Sequence, residues 1–211
     1  MTTPRNVAIL IFDQIEVLDF AGPYEVFTVA AELTDPTPFM VYTVAETSAP
    51  VRTRGLMSVN PNYALTNCPP PDILIIPGGA GTRPLLKRPM LIDWLRAQAD
   101  RVELLLSVCT GSLLLARAGL LDGLRATTHH DNLPDLDALA PACEIVRDAR
   151  YVDNGRILTA GGVSAGIDLA LYVVRNLLGD AALARTLNEM EYAWDGSLDL
   201  KWPAALDALG G

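Results

Sequence analysis

The feature that most constrains the fold is a series of short, uninterrupted apolar runs with helix-length segments between them. Four runs rich in Val, Ile and Leu cover residues 6–12, 39–45, 72–76 and 103–108. Such runs are typical of parallel strands that are buried on both faces, because a half-exposed strand alternates apolar with polar residues. Helical spacing covers residues 18–32, 83–100, 111–118, 165–178 and 181–192. The alternation predicts a doubly wound, flavodoxin-like α/β fold with a mostly parallel sheet flanked by helices.

Two segments interrupt this alternation. They are residues 51–60, around Gly55, and residues 151–159, which contain the turn signal Asp153-Asn154-Gly155. Both predict small hairpins or edge strands. A chain of 211 residues, half of them hydrophobic, is long enough for one sizeable core. We therefore expect a single domain over residues 1–211, with its core at about 5–195 and a tail at 196–211.

Charge and hydropathy exclude several classes of partner. The net charge is -9, and no basic run is present to bind a phosphate backbone, so no nucleic-acid partner is expected. The apolar stretches fall short of the roughly 18 residues of a membrane span. The N-terminus lacks the cleavage site of a signal peptide. The sequence thus predicts a cytoplasmic protein with no membrane partner.

One of the three cysteines stands out by its place in the chain. Cys68, Cys109 and Cys143 lack the spacing of a disulfide framework or a zinc site. Cys109 lies within LLLSVCTGSLLL, at residues 104–115, where an apolar run changes into a helical segment. A tight strand-to-helix turn would hold its side chain outward, and the helix N-terminus would favour the nucleophilic thiolate. The alternative is a small buried residue at a strand end.

Glycines follow the neighbouring apolar run, in PGGAG at residues 77–81. The N–H groups of Gly78 and Gly79, with that of Thr110, are candidates for an oxyanion-type pocket beside the thiol, although a plain turn is the alternative. The pattern does not match the glycine loops that bind nucleotides.

A carboxylate and two histidines are the candidate proton carriers. Asp19 stands in an apolar setting after the first run, which suits a proton donor or acceptor, or it is an ordinary helix N-cap. His129 and His130 are the only histidines, and one of them is either a base for the thiol or a structural residue.

Together these motifs resemble the ThiJ/PfpI superfamily, which has a class I glutamine amidotransferase-like fold. The resemblance is carried by the PGG turn, the cysteine at the elbow and a TTH motif about twenty residues later. Within the superfamily, isocyanide hydratases are the most similar group, through LDFAGP at 18–23, SVCTG at 107–111, RATTH at 125–129 and GGVSAGID at 161–168. The matches cover nearly the whole chain.

The resemblance implies a site and a reaction. Cys109 would be the nucleophile, Asp19 the acid/base and Thr110 the polar neighbour at the elbow. The substrate or oxyanion pocket would be formed by Gly78, Gly79, His129, His130, Val163 and Ser164. The reaction would convert an isocyanide to an N-substituted formamide through a thioimidate, in a homodimer that needs neither metal nor cofactor.

Departures from related patterns narrow the choice. Thr110 stands where protease-like members have histidine, and Ser107 stands where amidotransferases have glycine, so peptidase and glutaminase activities are disfavoured. His130 stands in place of a pocket tryptophan of the isocyanide hydratases, which affects the expected substrate range.

Alternatives to the hydratase remain open at this point. The same thiol would serve a glyoxalase, deglycase-like or amidase-like hydrolase, or a non-catalytic sensor of oxidative stress. A sister group carries a C-terminal helix-turn-helix domain and regulates transcription. From the length and acidic charge we expect no such domain here.

Overall fold

A computed structural model of the protein describes residues 3–194 and 196. The strands are β1 (Arg5–Leu10), β2 (Phe39–Ala45), β3 (Val51–Arg52), β4 (Ser58–Val59), β5 (Tyr63–Ala64), β6 (Ile73–Ile76), β7 (Leu104–Val108), β8 (Arg125–Ala126), β9 (Glu144–Ile145), β10 (Tyr151–Asp153) and β11 (Ile157–Ala160). The helices are α1 (Val17–Glu32), α2 (Thr82–Leu85), α3 (Pro89–Ala99), α4 (Gly111–Arg117), α5 (Leu133–Leu139), α6 (Ala165–Leu178) and α7 (Asp180–Glu189), with a 3-10 turn at His130–Asn132.

Seven strands form one central sheet in the order β10-β11-β7-β6-β1-β2-β5. All neighbours in it are parallel except β10 and β11. The central strands are nearly inaccessible to solvent, because the sheet is flanked by two groups of helices. Helices α1, α6 and α7 contact one another in one group, and α4 contacts α2, α3 and α5 in the other. The predicted doubly wound α/β fold is confirmed.

The sequence predicted most elements within one to three residues of their ends. Both hairpins are present, as the antiparallel pairs β3–β4 and β10–β11. The single helix predicted over residues 83–100 is wrong: α2 ends at Leu85, and α3 begins at Pro89. Proline cannot donate the N–H that a continuous helix needs, and Arg88 before it is extended, with φ -103° and ψ 92°.

The short elements β5, β8, β9 and α5 had no counterpart in the sequence prediction. Each strand has only two residues, which is too short for an apolar pattern to appear. The tail predicted at 196–211 lies outside the described residues, apart from Gly196.

Four adjacent strands end on the same side of the sheet. Strands β11, β7, β6 and β1 are consecutive neighbours and run parallel, so the loops after them gather at one edge. Ligands bind at this edge in open α/β sheets. The loops carry Cys109 after β7, Gly78 after β6 and Val163 after β11, and the loop after β1 leads into α1, whose first turn carries Asp19.

No helix within residues 3–194 is both long enough and apolar enough to cross a membrane.

Gly111→Ala is expected to destabilise the fold where α4 passes over β6. A Cβ atom at this position would lie 1.9 Å from the carbonyl oxygen of Ile76, which is backbone and has little freedom to move. Overpacking of this kind costs about 3 kcal/mol of the free energy of unfolding, measurable by urea denaturation. Gly55→Ala is the matched control, since a Cβ there meets nothing within 4 Å. Equal stability of the two variants would contradict this account of the turn.

Candidate active site

Cys109 occupies a strained turn between β7 and α4. Its φ is 56°, in the left-handed region that residues other than glycine seldom adopt. Backbone hydrogen bonds hold the turn from both sides: its N–H donates to the carbonyls of Ala160 (3.1 Å) and Gly161 (2.8 Å). Its own carbonyl accepts from the hydroxyl of Thr128 at 2.8 Å. The direction of the thiol is therefore fixed by the surrounding strand ends.

Asp19 lies in the first turn of α1 and is fully buried. Its two carboxylate oxygens accept separate backbone N–H groups, Oδ2 from Gly78 and Oδ1 from Val163, each at 3.0 Å. The carboxyl also hydrogen-bonds the side chain of Cys109. The alternative that Asp19 caps α1 is wrong, because the capping position is Glu16. The structure thus brings together the two residues that the sequence proposed for catalysis.

Burial controls the protonation of this pair. It raises the pKa of Asp19 from 3.8 to about 7, against the opposing effect of the N–H groups of Gly78 and Val163. Burial, followed by the nearby charge of Asp19, raises the pKa of Cys109 to about 12. The expectation of a resting thiolate at the helix N-terminus is therefore wrong, since hydrogen bonds from Thr110 only partly offset these two effects. Burial therefore favours the protonated form of both groups.

The glycine turn orients the reactive pair. The N–H of Gly78 is bound to Asp19, and that of Gly79 donates to the Thr110 hydroxyl at 2.9 Å. The hydroxyl of Thr82, which is fully buried, adjoins that of Thr110 at 3.2 Å and donates to the Gly79 carbonyl at 2.9 Å. The two glycine N–H groups that were predicted to form an oxyanion pocket are thus already hydrogen-bonded to side chains of the site.

An open cleft of about 440 Å³ leads to the pair. It is lined by Glu16, Arg54, Gly79, Ala80, Arg83, Cys109, Thr110, His129, Asp131, Asn132 and Val163. Only 7% of Cys109 is exposed, so a substrate must reach the sulfur through this opening.

Sequence reasoning missed four charged residues of the cleft, which are Glu16, Arg54, Arg83 and Asp131. Glu16, Arg54 and Arg83 belong to none of the sequence motifs. Arg54 pairs with Glu16 at 3.1 Å, while Arg83 pairs with Asp135 at 2.7 Å. Arg54 comes from the β3–β4 hairpin, whose docking is a long-range contact that no local pattern reveals.

Val163 and Ser164, both predicted pocket residues, face different surroundings. Val163 lines the cleft, is 38% exposed and has a φ of 54°, a strained value for a β-branched residue. The hydroxyl of Ser164 instead accepts a hydrogen bond from Arg150 at 3.1 Å. The prediction is wrong for Ser164, which does not line the cleft, because its hydroxyl is used to hold Arg150.

The two histidines also differ. His129 lines the cleft, and burial lowers its pKa, whereas the half-exposed His130 stacks on it with ring centroids 4.2 Å apart and lies outside the lining. His129, His130 and Asp131 have potential metal-ligating atoms within 4.8 Å of one another. Nδ1 of His129 accepts the Asp131 N–H at 3.3 Å, so this atom would have to release that bond to hold a metal.

The chain matches known proteins over most of its length. Residues 5–176 match the model of the DJ-1/PfpI family. An isonitrile hydratase of Pseudomonas putida is 38% identical over an alignment of 191 residues, which covers 89% of this chain and 78% of that enzyme. An HTH-type transcriptional regulator of Pseudomonas aeruginosa, GbdR, is 27% identical over 89% of this chain, but the chain spans only 50% of the regulator.

Solved structures show the same fold. A ThiJ/PfpI family protein from Pseudomonas syringae superposes with a TM-score of 0.83 at 27% identity, over 98% of this chain and 84% of that one. Drosophila melanogaster DJ-1beta superposes with a TM-score of 0.78 at 19% identity, over 91% of this chain and all of that one.

Asp19→Asn is expected to change how stability depends on pH. Because burial raises the pKa of Asp19 from 3.8 in an exposed side chain to about 7 in the folded protein, the folded protein binds more protons between these limits and loses stability as pH rises through them. The difference corresponds to about 4 kcal/mol. The amide does not ionise, so the variant should not lose this stability. Between about pH 4 and 8, its free energy of unfolding should therefore rise relative to that of the wild type by about 4 kcal/mol. Urea unfolding across this range measures it, and a pH-independent difference would contradict the account.

Proposed function

Since the chain belongs to the DJ-1/PfpI family, we propose that it hydrates an isocyanide to an N-substituted formamide, with Cys109 as the nucleophile and Asp19 as the proton carrier. The observation that carries this proposal is the buried contact between the thiol and the carboxyl. The relationship to an isonitrile hydratase supports the choice of substrate.

The chemistry of an isocyanide matches this pair. Its terminal carbon must gain a bond to sulfur and a bond to hydrogen, so a nucleophile and a proton have to arrive at the same atom. The thiol supplies both, provided that a neighbouring base holds the proton while sulfur attacks. Asp19 is such a base, and a pKa of about 7 lets it take and return a proton at similar cost.

In the first half of the reaction, the Asp19 carboxylate takes the Cys109 proton as sulfur bonds to the terminal carbon of R–N≡C. Asp19 then returns that proton to the same carbon. The product is the thioimidate R–N=CH–S–Cys109, and the carboxylate is regenerated.

In the second half, water adds to the thioimidate carbon. Asp19 accepts one of the two protons of this water, and the thioimidate nitrogen takes the other. The carbon–sulfur bond then breaks, R–NH–CHO leaves, and sulfur recovers a proton from Asp19. The sum is R–NC plus H₂O giving R–NH–CHO, with no oxidant and no reductant.

The backbone of the site supports these steps. Two N–H groups fix the plane of the Asp19 carboxylate, and the φ of 56° fixes the direction of the Cys109 sulfur. Holding a base against a nucleophile in this way avoids the entropic cost of assembling the two in solution.

The raised thiol pKa weighs against a sensor that acts by oxidation of Cys109. Oxidation by peroxides follows thiolate character, and burial beside Asp19 raises the pKa of Cys109, which disfavours the thiolate. A hydrolase of reactive carbonyl compounds would use the same pair, so the substrate test includes one. The homodimer implied by the resemblance and the cytoplasmic location expected from the sequence remain predictions, and sedimentation of the purified chain tests the first.

Cys109→Ser and Asp19→Asn are both expected to stop formamide production. Replacing the sulfur should lower turnover on the order of 10³-fold or more, and removing the carboxylate about 10²- to 10⁴-fold. Chromatography of the N-substituted formamide formed from an alkyl isocyanide measures this. Cys143→Ser is the matched control, because Cys143 is also a buried free cysteine but does not line the cleft.

Two outcomes would contradict the proposal. Full activity of Cys109→Ser would remove the covalent intermediate. Lactate from methylglyoxal, with no formamide from isocyanides, would assign the site to carbonyl chemistry instead.

A further inference from the structure

The segment of residues 161–164, between β11 and α6, contacts both reacting residues. The carbonyl of Gly161 accepts the Cys109 N–H at 2.8 Å. Two residues later, the Val163 N–H donates to the Asp19 carboxylate at 3.0 Å. Any shift of this segment would therefore change the geometry of the nucleophile and of the proton carrier together.

Arg150 holds this segment at both ends. Its backbone carbonyl accepts the N–H of Gly161 at 2.8 Å. Its guanidinium group donates to the hydroxyl of Ser164 at 3.1 Å. The strained Val163 lies between these two attachment points, and a strained conformation persists only where its surroundings enforce it.

Arg150 is in turn held by Asp168, one helical turn beyond Ser164 on α6. The two side chains form an ion pair in which they are 17% and 4% exposed. The other oxygen of Asp168 accepts the hydroxyl of Tyr192 at 2.9 Å. Both carboxylate oxygens are thus occupied, which is what a buried charge requires to be tolerated.

We propose that Arg150 and Asp168 are positioning residues for the reactive pair, and that their ion pair clamps the segment 161–164 so that Cys109 and Asp19 stay in contact. Neither residue lines the cleft. The catalytic consequence rests on the proposed function, whereas the effect on the thiol does not. When the clamp is broken, the Val163 N–H withdraws from Asp19, and the carboxylate loses one of the bonds that favour its ionised form.

The test follows the acidic limb of two pH profiles, which is the low-pH side where the rate falls as Asp19 becomes protonated. One is the rate at which iodoacetamide alkylates Cys109, in a Cys68→Ser/Cys143→Ser background, and the other is kcat/KM for isocyanide hydration. The pKa of Asp19 also depends on the side chain of Cys109 and on the charge of Glu16, and no variant changes either residue. Arg150→Met should move the limb upward by about one pH unit, which lowers kcat/KM about tenfold at a pH below the limb.

Asp168→Asn separates positioning from a direct effect of charge. Removing the cation of Arg150 and removing the anion of Asp168 would move the limb in opposite directions if only their fields mattered. A broken clamp moves it upward in both variants. Ser164→Ala leaves both charges in place and should give a smaller upward shift, and Arg150→Lys should restore part of the wild-type profile.

Two control variants identify a merely structural role. Leu95→Ala creates a cavity in α3, and Arg5→Met breaks an ion pair with Glu103 at the opposite end of β1. Both should lower Tm and leave the limb in place. If Arg150→Met does not fold, Ser164→Ala and Arg150→Lys decide the question.

Each pattern of results has a definite reading. An unmoved limb in Ser164→Ala, Asp168→Asn and every Arg150 variant that folds, or opposite shifts for Arg150→Met and Asp168→Asn, would overturn the clamp. A shifted alkylation limb in a protein that turns over no isocyanide would support the clamp and refute the proposed function. An unmoved limb in a protein that hydrates isocyanides would refute the clamp and support the proposed function.

Discussion

The carboxyl of Asp19 has no contact with solvent, and the surrounding chain is organised so that this buried group is tolerated. A buried carboxylate is costly unless its oxygens are hydrogen-bonded, and each oxygen of Asp19 receives one backbone N–H. These come from Gly78 after β6 and Val163 after β11, while the thiol comes from Cys109 after β7. The pair therefore exists only when four parallel strands are in register, which links the fold directly to the chemistry.

The same burial favours the protonated form of the thiol by raising its pKa. In many cysteine enzymes a cation or a helix N-terminus lowers the thiol pKa. Here the nearest ionisable partner of Cys109 is an acid, and both partners have raised pKa values. The pair is thus suited to passing one proton between sulfur, carboxyl and substrate, and less suited to storing a reactive thiolate.

Much of this arrangement can be read from the sequence because it depends on local patterns. Continuous apolar runs identify buried strands, and the residues that follow them identify the edge where ligands bind. Cys109 and Asp19 were found in this way, and the structure places them in contact. Pro89 was a local signal that the sequence analysis overlooked, since it divides what was predicted as one helix.

The rest depends on contacts between distant parts of the chain. Arg54 reaches the cleft because a hairpin docks beside the loop after β1. Arg150 meets Ser164 and Asp168 only once β10 lies beside β11. His130 was assigned to the pocket because it stands where the isocyanide hydratases have a pocket tryptophan, but the cleft is lined by His129, Asp131 and Asn132 and not by His130. No local pattern distinguishes these outcomes.

Relatives of this chain include both an isonitrile hydratase and transcriptional regulators, so the fold alone does not decide the function. The protonation of the buried pair is the property on which the proposed chemistry depends. Carbon-13 NMR of aspartate carboxyl groups, with the Asp19 signal identified by its loss in Asp19→Asn, measures it most directly. The account predicts a titration midpoint near pH 7, which rises further in Cys109→Ala because the thiol hydrogen bond lowers the pKa of Asp19. A midpoint near 4 that is insensitive to Cys109 would contradict it.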